Sequence, residues 1–372
     1  MKIFRKLVLI AIIIGVVYFL KGNMGITGMT IMDVQDIVKD KIEDKVVVQE
    51  DIPLPVVFFC PKYNCEAVMV DLIKNAKKSA HCALFDLDLY ELISMFDERS
   101  EEIDVKIVVD NDNYEEIEES YGKELEFVKI DNGNQLSHNK FCIIDGKVVS
   151  TGSFNPTFNG NEKNNNNLVV IESDYLSENY EDEFEELWKG YFGRSNKDKQ
   201  KKVKYPKIEG DEIIIENYFC PEDDCEGHVL DVLKNAEESV KFMVFSFTSD
   251  PIGEKLVEMH ENGIIVEGVL EKKQNTNKYS EYHRLIEAGV DVIYDNNKYN
   301  MHHKNGLQTH YPKSGLLHHK VFIIDDHIVI TGSYNPTASG TEKNDENILI
   351  IYSDDVAAEF VDEYDLIMSR NK

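Results

Sequence analysis

The sequence predicts an α/β fold built from two fused copies of one layered unit, related by a pseudo-twofold axis. Two observations carry this. The chain repeats itself: His138–Ile171 aligns without a gap on His318–Ile351, with 18 of 34 positions identical, and "FCPKYNCEAVMVDLIKNAKKS" from Phe59 matches "FCPEDDCEGHVLDVLKNAEES" from Phe219. Within each copy, short apolar strands alternate with amphipathic helical stretches, the pattern of strands layered against helices. The two blocks are offset by 180 and 160 residues, so the second copy carries 20 more residues between them, expected in the loop around Asn296–Leu317.

The chain opens with "MKIFRKLVLIAIIIGVVYFLKG", in which Lys2, Arg5 and Lys6 precede an uncharged apolar run from Leu7 to Leu20. That run is short for a spanning helix and has the length of a signal h-region, but no small-x-small cleavage site follows it. Residues 1–22 are therefore read as an uncleaved single-pass anchor. The amino end stays in the cytoplasm and the body lies outside it, at the cell membrane; secretion after cleavage is the alternative. Residues 23–51 are a linker, 52–193 the first repeat, 194–212 a basic linker and 213–372 the second repeat.

Each copy is expected to start with a strand (Val56–Phe59, Ile213–Phe219) that enters an amphipathic helix (Glu66–Lys78, Glu226–Glu238). A buried strand follows (Cys82–Leu87, Phe242–Phe247), then a helix and another strand (Val105–Val109, Ile264–Leu270). In the first copy, strands at Phe141–Asp145, Val148–Thr151 and Leu168–Ile171 lead to a closing helix that holds Trp188.

The net charge of -29 reads as a solvated surface and argues against a broad basic face tracking a polyanion. Cys82 aligns with Phe242 and Cys142 with Phe322, so both are expected to be small apolar core residues. Cys60/Cys65 and Cys220/Cys225 recur as CPxxxCE pairs, and a short-loop disulfide in each copy is expected outside the membrane. A four-thiolate zinc site would need both loops to meet, with a longer step than structural zinc sites use.

The chemistry lies in H-x-K-x4-D-x6-G-S-x-N. The pattern is met by His138, Lys140, Asp145, Gly152, Ser153 and Asn155, and again by His318, Lys320, Asp325, Gly332, Ser333 and Asn335. No acidic residue lies between Asp131 and Asp145, so the first copy is a local positive spot in an acidic chain. On a strand, residues two apart share a face, which puts histidine and lysine side by side. Ser153, Asn155, Ser333 and Asn335 can donate hydrogen bonds to phosphate from the following turn. Two histidines match the two roles of phosphodiester cleavage, attack at phosphorus and protonation of the leaving oxygen. The lysines would neutralise the phosphoryl oxygens.

The doubled pattern resembles the signature of the phospholipase D superfamily, whose members include phospholipases, phosphatidyltransferases and nucleases. The resemblance covers nearly all of the chain after residue 52. It implies two phospholipase D-like α/β/α layered units sharing one site, a phosphohistidine intermediate resolved by water or an alcohol, and no metal or cofactor. The candidate catalytic residues are His138, Lys140, Asp145, His318, Lys320, Asp325 and Glu346. The two aspartates are expected to hold strand and turn together. Glu346 occupies the place of the carboxylate that orients the opposite half's histidine, where the first copy has Asn166. This implies His138 as nucleophile and His318 as general acid.

A phospholipid substrate fits the membrane anchor, which raises effective concentration at head groups, and Leu307, Leu316 and Leu317 lie near the second motif. A metal-independent endonuclease of the same superfamily fits the acidic surface less well. A phosphatidyltransferase and an inactive, membrane-tethered binding module are the remaining alternatives. His302, His303 and Lys304 form a decoy H-x-K without its aspartate. A fused pair needs no dimer for catalysis.

Overall fold

The same apolar pattern, read twice, gives the same run of elements twice. The first copy comprises β1 (Val56–Cys60), α1 (Cys65–Asn75), β2 (Ser79–Leu84), α2 (Tyr90–Ser100), β3 (Asp104–Val109) and β4 (Val128–Ile130). It continues with β5 (Lys140–Ile144), β6 (Val148–Gly152), α3 (Phe158–Glu162), β7 (Asn166–Glu172) and α4 (Asp174–Trp188). The second begins with β8 (Lys207–Glu209), β9 (Ile214–Cys220), α5 (Cys225–Leu233), β10 (Ser239–Val244), α6 (Asp250–Glu261) and β11 (Ile265–Glu271). After α7 (Lys272–Asn275) and α8 (Tyr282–Glu287) come β12 (Asp291–Asp295), β13 (Met301–Lys304) and β14 (Leu307–His310). The closing run is β15 (Lys320–Ile324), β16 (Ile328–Gly332), α9 (Ala338–Glu342), β17 (Glu346–Tyr352) and α10 (Asp354–Asn371). This computed structural model describes residues 46–114, 117, 121–194, 201–296, 301–304, 307–310 and 315–371. The anchor expected at 1–22 lies outside them, as does most of the 23–51 linker. Among the described residues, no helix is long and apolar enough to cross a membrane.

The first sheet runs β1–β7–β6–β5–β2–β3–β4, and the second runs β8–β9–β17–β16–β15–β10–β11–β12. The motif strands β5 and β15 are buried at every position, which is why their sequences are continuously apolar after the lysine. Each half has its own core under its outer helices. A third core joins the halves between the sheets, where Phe141, Tyr180, Phe184, Phe219, Phe360 and Tyr364 meet around α4 and α10. Residues Val48–Lys372 form one compact unit.

Two expectations change. The first helix of each copy stops early, at Asn75 and Leu233, because the motif aspartate captures the backbone beyond it. Asp145 accepts the N–H groups of Lys77, Lys78 and Ser79 (2.6–3.1 Å), and Asp325 accepts those of Glu237, Glu238 and Ser239 at 2.8 Å. The following strand therefore starts at Ser79 or Ser239. Cys82 and Cys142 are not free core residues either. They face each other across the antiparallel pair β2·β5, with Cα atoms 4.1 Å apart, and form a disulfide. Phe242 and Phe322 hold the same facing positions in the second half. The expected pairs Cys60–Cys65 and Cys220–Cys225 are also disulfides, so all six cysteines are paired. The extra residues of the second copy include the β13·β14 hairpin, which carries His302, His303 and Lys304; their side chains lie outside the described residues.

Candidate active site

The two motif loops are stitched across the halves before any side chain is considered. His138 N–H donates to the Asp345 carbonyl (2.9 Å), and Asp345 N–H to that of Leu136 (3.0 Å). His318 N–H donates to Asn165 (2.9 Å), and Asn165 N–H to Leu316 (2.8 Å). Each histidine is thereby fixed by backbone of the other copy, at the end of the sheets where β5 and β15 begin.

The side chains repeat this crossing with one difference. His138 Nδ1 lies 2.7 Å from Glu346 Oε2, whereas His318 Nδ1 lies 2.8 Å from Asn166 Oδ1 and 3.0 Å from the Ser153 carbonyl. A carbonyl can only accept, so Nδ1 of His318 carries the proton and its neutral form keeps a lone pair on Nε2. Lys140 Nζ donates to the His138 carbonyl (2.6 Å) and Lys320 Nζ to that of His318 (2.8 Å). Phe85 and Phe245 floor the two half-sites. Each lies edge-on to its histidine at 4.8 and 4.7 Å and under its lysine at 4.9 and 4.8 Å.

The two histidines, the two lysines and Glu346 are buried, and burial sets their protonation. Burial pushes Glu346 up to about 8 against the pull of Lys140, Ser333 and Lys320. It holds His138 and His318 well below the ordinary histidine value, and the two lysines add to this. Burial also brings Lys140 down to about 7 and Lys320 well below the normal lysine range. An anion drawn into this pocket would offset the desolvation of both ammonium groups. Two imidazoles and two ammonium groups thus lie close enough to shift one another's protonation.

The remaining candidates sort by what they touch. Asp145 and Asp325 hold strand and turn, as described, and lie away from the imidazoles' contacts. Ser153 and Ser333 are wholly buried, and the expected donation to phosphate changes for Ser333, whose hydroxyl proton goes to a carboxylate instead. Ser333 Oγ donates to Glu346 Oε2 (2.7 Å) and accepts Asn347 N–H (3.0 Å), while Ser153 Oγ accepts Asn167 N–H (3.0 Å). Asn155 and Asn335 have side-chain oxygens without a hydrogen-bond partner; only their amide nitrogens could donate to a phosphate. The sequence reading missed Phe85 and Phe245, although they align with each other. It also missed Asn347 and Asn167, which accept from Thr151 and Thr331 (both 2.9 Å) across the axis. Among the described residues no group of three or more His, Cys, Asp or Glu side chains is placed to hold a metal.

Two lysines, two imidazoles and one carboxylate converging from a duplicated α/β unit define a protein built to handle a phosphodiester. The family model described as "Cardiolipin synthase, PLD-like domain" matches residues 69–188 and 229–368, and the chain belongs to this family within the phospholipase D superfamily. It is 27% identical over 150 residues to phospholipase D of Rickettsia conorii, covering 40% of this chain and 67% of that protein. It is 28% identical over 144 residues to the human mitochondrial cardiolipin hydrolase, covering 39% of this chain and 51% of that protein. The phosphatidylserine synthase of Haemophilus influenzae shares the fold over 90% of both chains, with a TM-score of 0.60 at 12% identity. These likenesses support phosphodiesterase chemistry at the level of the superfamily, which contains hydrolases and synthases.

Proposed function

We propose that the chain hydrolyses a phospholipid at its head-group phosphodiester through a phosphohistidine on His138. Nε2 of His138 attacks phosphorus with its lone pair, and the bond from phosphorus to the head-group oxygen breaks. That oxygen takes a proton from Nε2 of His318. The imidazolium forms with a proton from solvent once the substrate's phosphate anion offsets the burial and the lysine charges that otherwise keep His318 neutral. His318, now neutral, removes a proton from water, whose oxygen attacks phosphorus and displaces His138. Lys140, Lys320, Asn155 and Asn335 hold the phosphoryl oxygens throughout. The observation that carries the assignment is the Glu346–His138 contact at 2.7 Å. A buried carboxylate favours positive charge on the imidazole it faces, which is the charge His138 gains on attack, and His318 has only neutral acceptors.

The same step with an alcohol in place of water makes a transferase, a reading favoured by the synthase description of the matched family model. The pairing of all six cysteines supports a body outside the cytoplasm, in keeping with an anchor at residues 1–22. The test is head-group release from phosphatidylcholine vesicles in EDTA, beside a labelled single-stranded DNA and a His138→Ala control. Release that the control lacks supports the lipase. Strand cleavage alone would replace it with a nuclease, and release that rises only with added glycerol would make transfer the reaction.

A further inference from the structure

Among the described residues, four aromatic side chains are exposed: Tyr63 (43%), Tyr90 (61%), Phe158 (56%) and Tyr279 (68%). All four stand at the end of the sheets that holds the histidines. Tyr63 follows β1, Tyr90 opens α2 after β2, Phe158 opens α3 after β6, and Tyr279 follows β11 and α7. At the opposite strand ends the exposed apolar residues are aliphatic, Val56 and Ile265.

Every one of these rings sits in a group with a lysine, within a chain of net charge -29. Lys62 Nζ lies 5.4 Å from the Tyr63 ring centre, Lys163 5.1 Å from Phe158, and Lys278 4.7 Å from Tyr279. Tyr90 packs at 5.4 Å on Tyr121, which lies 5.7 Å under Lys123. The rim is not a by-product of the duplication. Tyr63, Tyr90 and Phe158 align with Asp223, Asp250 and Ala338 in the second copy.

We infer that these rings and lysines form a docking rim for a phospholipid bilayer, holding the mouth of the site against the head groups. An apolar ring topped by an ammonium group matches the boundary between acyl chains and phosphates. The rim suits a nucleic-acid strand less well. Asp88 accepts the Phe158 N–H at 2.6 Å, and Glu66 is raised by burial and by the nearby carboxylates of Glu91, Glu162 and Asp88. A polyanion crossing between Phe158 and Tyr90 would meet these carboxylates, whereas ring insertion needs no continuous run of cations. The inference rests on the lipid reading of the active site and adds how that lipid is reached.

The test uses residues 48–372, which form one compact unit, sedimented with phosphatidylcholine vesicles. A variant combining Tyr63→Ser, Phe158→Ser and Tyr279→Ser, all at exposed positions, should lower vesicle partition by about tenfold or more. It should hydrolyse bis(p-nitrophenyl) phosphate, a soluble diester, at the unmodified rate and melt at the same temperature. His138→Ala should bind vesicles normally. The inference falls if the triple variant binds vesicles as well as the parent, or if it loses single-stranded DNA binding and keeps vesicle binding. Vesicle binding through the rim without phospholipid cleavage would uphold the docking surface and sink the lipase reading alone.

Discussion

The two halves solve one folding problem with two sets of side chains. Where the second half packs Phe242 against Phe322 (6.1 Å), the first bonds Cys82 to Cys142. Where the first presents Lys62 and exposed Tyr63, the second buries Glu222 and Asp223. Where the second supplies Glu346, the first supplies Asn166. The backbone crossing at the site is nearly symmetric, so these substitutions carry the difference between the histidines. A duplicated fold fixes where the two imidazoles stand; in the proposed mechanism their division of labour comes from the exchange of Glu346 for Asn166 between the copies.

The sharpest way to break the comparison is to remove each histidine in turn. His138→Ala should lower turnover of any diester by about 10⁴-fold or more, because no other imidazole faces Glu346. His318→Ala should cost about 10²- to 10⁴-fold with an alkyl head group, since the leaving alkoxide then lacks its proton. With a p-nitrophenyl leaving group, which departs unprotonated, most of that loss should disappear. Single-turnover kinetics on both substrates decides the matter, and the opposite pattern would exchange the two roles.

Next in size is the disulfide that only the first half has. Cys82→Ala with Cys142→Ala opens a link across 60 residues, worth about 4 kcal/mol on the chain-entropy account. Urea unfolding of the double variant should show that loss, and the reductant that reproduces it in the parent should leave the double variant unchanged at this link.

Glu346→Gln should then lower kcat by about 10- to 100-fold with little change in KM, the range for a group that acts through the residue it orients. With the carboxyl raised to about 8, its ionised form grows as pH rises through that value. The parent's profile should carry this rising limb against the falling one set by loss of charge on Lys140 at about 7, and the variant should keep only the falling limb. Asn166→Ala should do less, below about tenfold, because His318 Nδ1 keeps the Ser153 carbonyl at 3.0 Å.

Much of this was legible in the sequence, and the exceptions share a cause. The histidines, the lysines and Glu346 could be read because a strand motif repeated intact carries its own geometry. The Cys82–Cys142 bond could not, because it depends on which residue of β2 lies opposite which residue of β5, and the spacing of 60 gives no hint of register. A signal did exist: both positions change together, from cysteine to phenylalanine, between the copies. Ser333 was misread because its hydroxyl turns inward onto a carboxylate 13 positions later. The acidic composition was read as solvated surface, and that holds for most of it. It fails at Glu222, Asp223, Glu183 and Asp345, which are all buried, because α4 of the first half closes over the CPEDDC loop of the second.

That last group gives the smallest effect and the cleanest sign. Burial raises Glu183 and Glu222 well above the usual carboxyl value; Asp345, Glu186 and Asp223 raise Glu183 further, and Glu183, Asp223 and Asp345 raise Glu222. Both oxygens of Glu222 lack a hydrogen-bond partner. A carboxyl whose folded pKa lies above its unfolded one burdens the native state only where the unfolded chain is ionised. The burden is absent below the unfolded value of about 4.3 and grows as pH rises toward the folded one. Glu222→Gln removes the ionisation and keeps the shape, so it should stabilise at pH 8 by about 1–3 kcal/mol, the scale of a buried unpaired polar group. That corresponds to a melting point higher by about 2 °C or more, shrinking to nothing near pH 4. Lys62→Gln, at the aligned position of the first half, should leave the melting point unchanged at both values. Scanning calorimetry of the two variants at pH 4 and pH 8 separates a loop that the other half has buried from one that it has left in water.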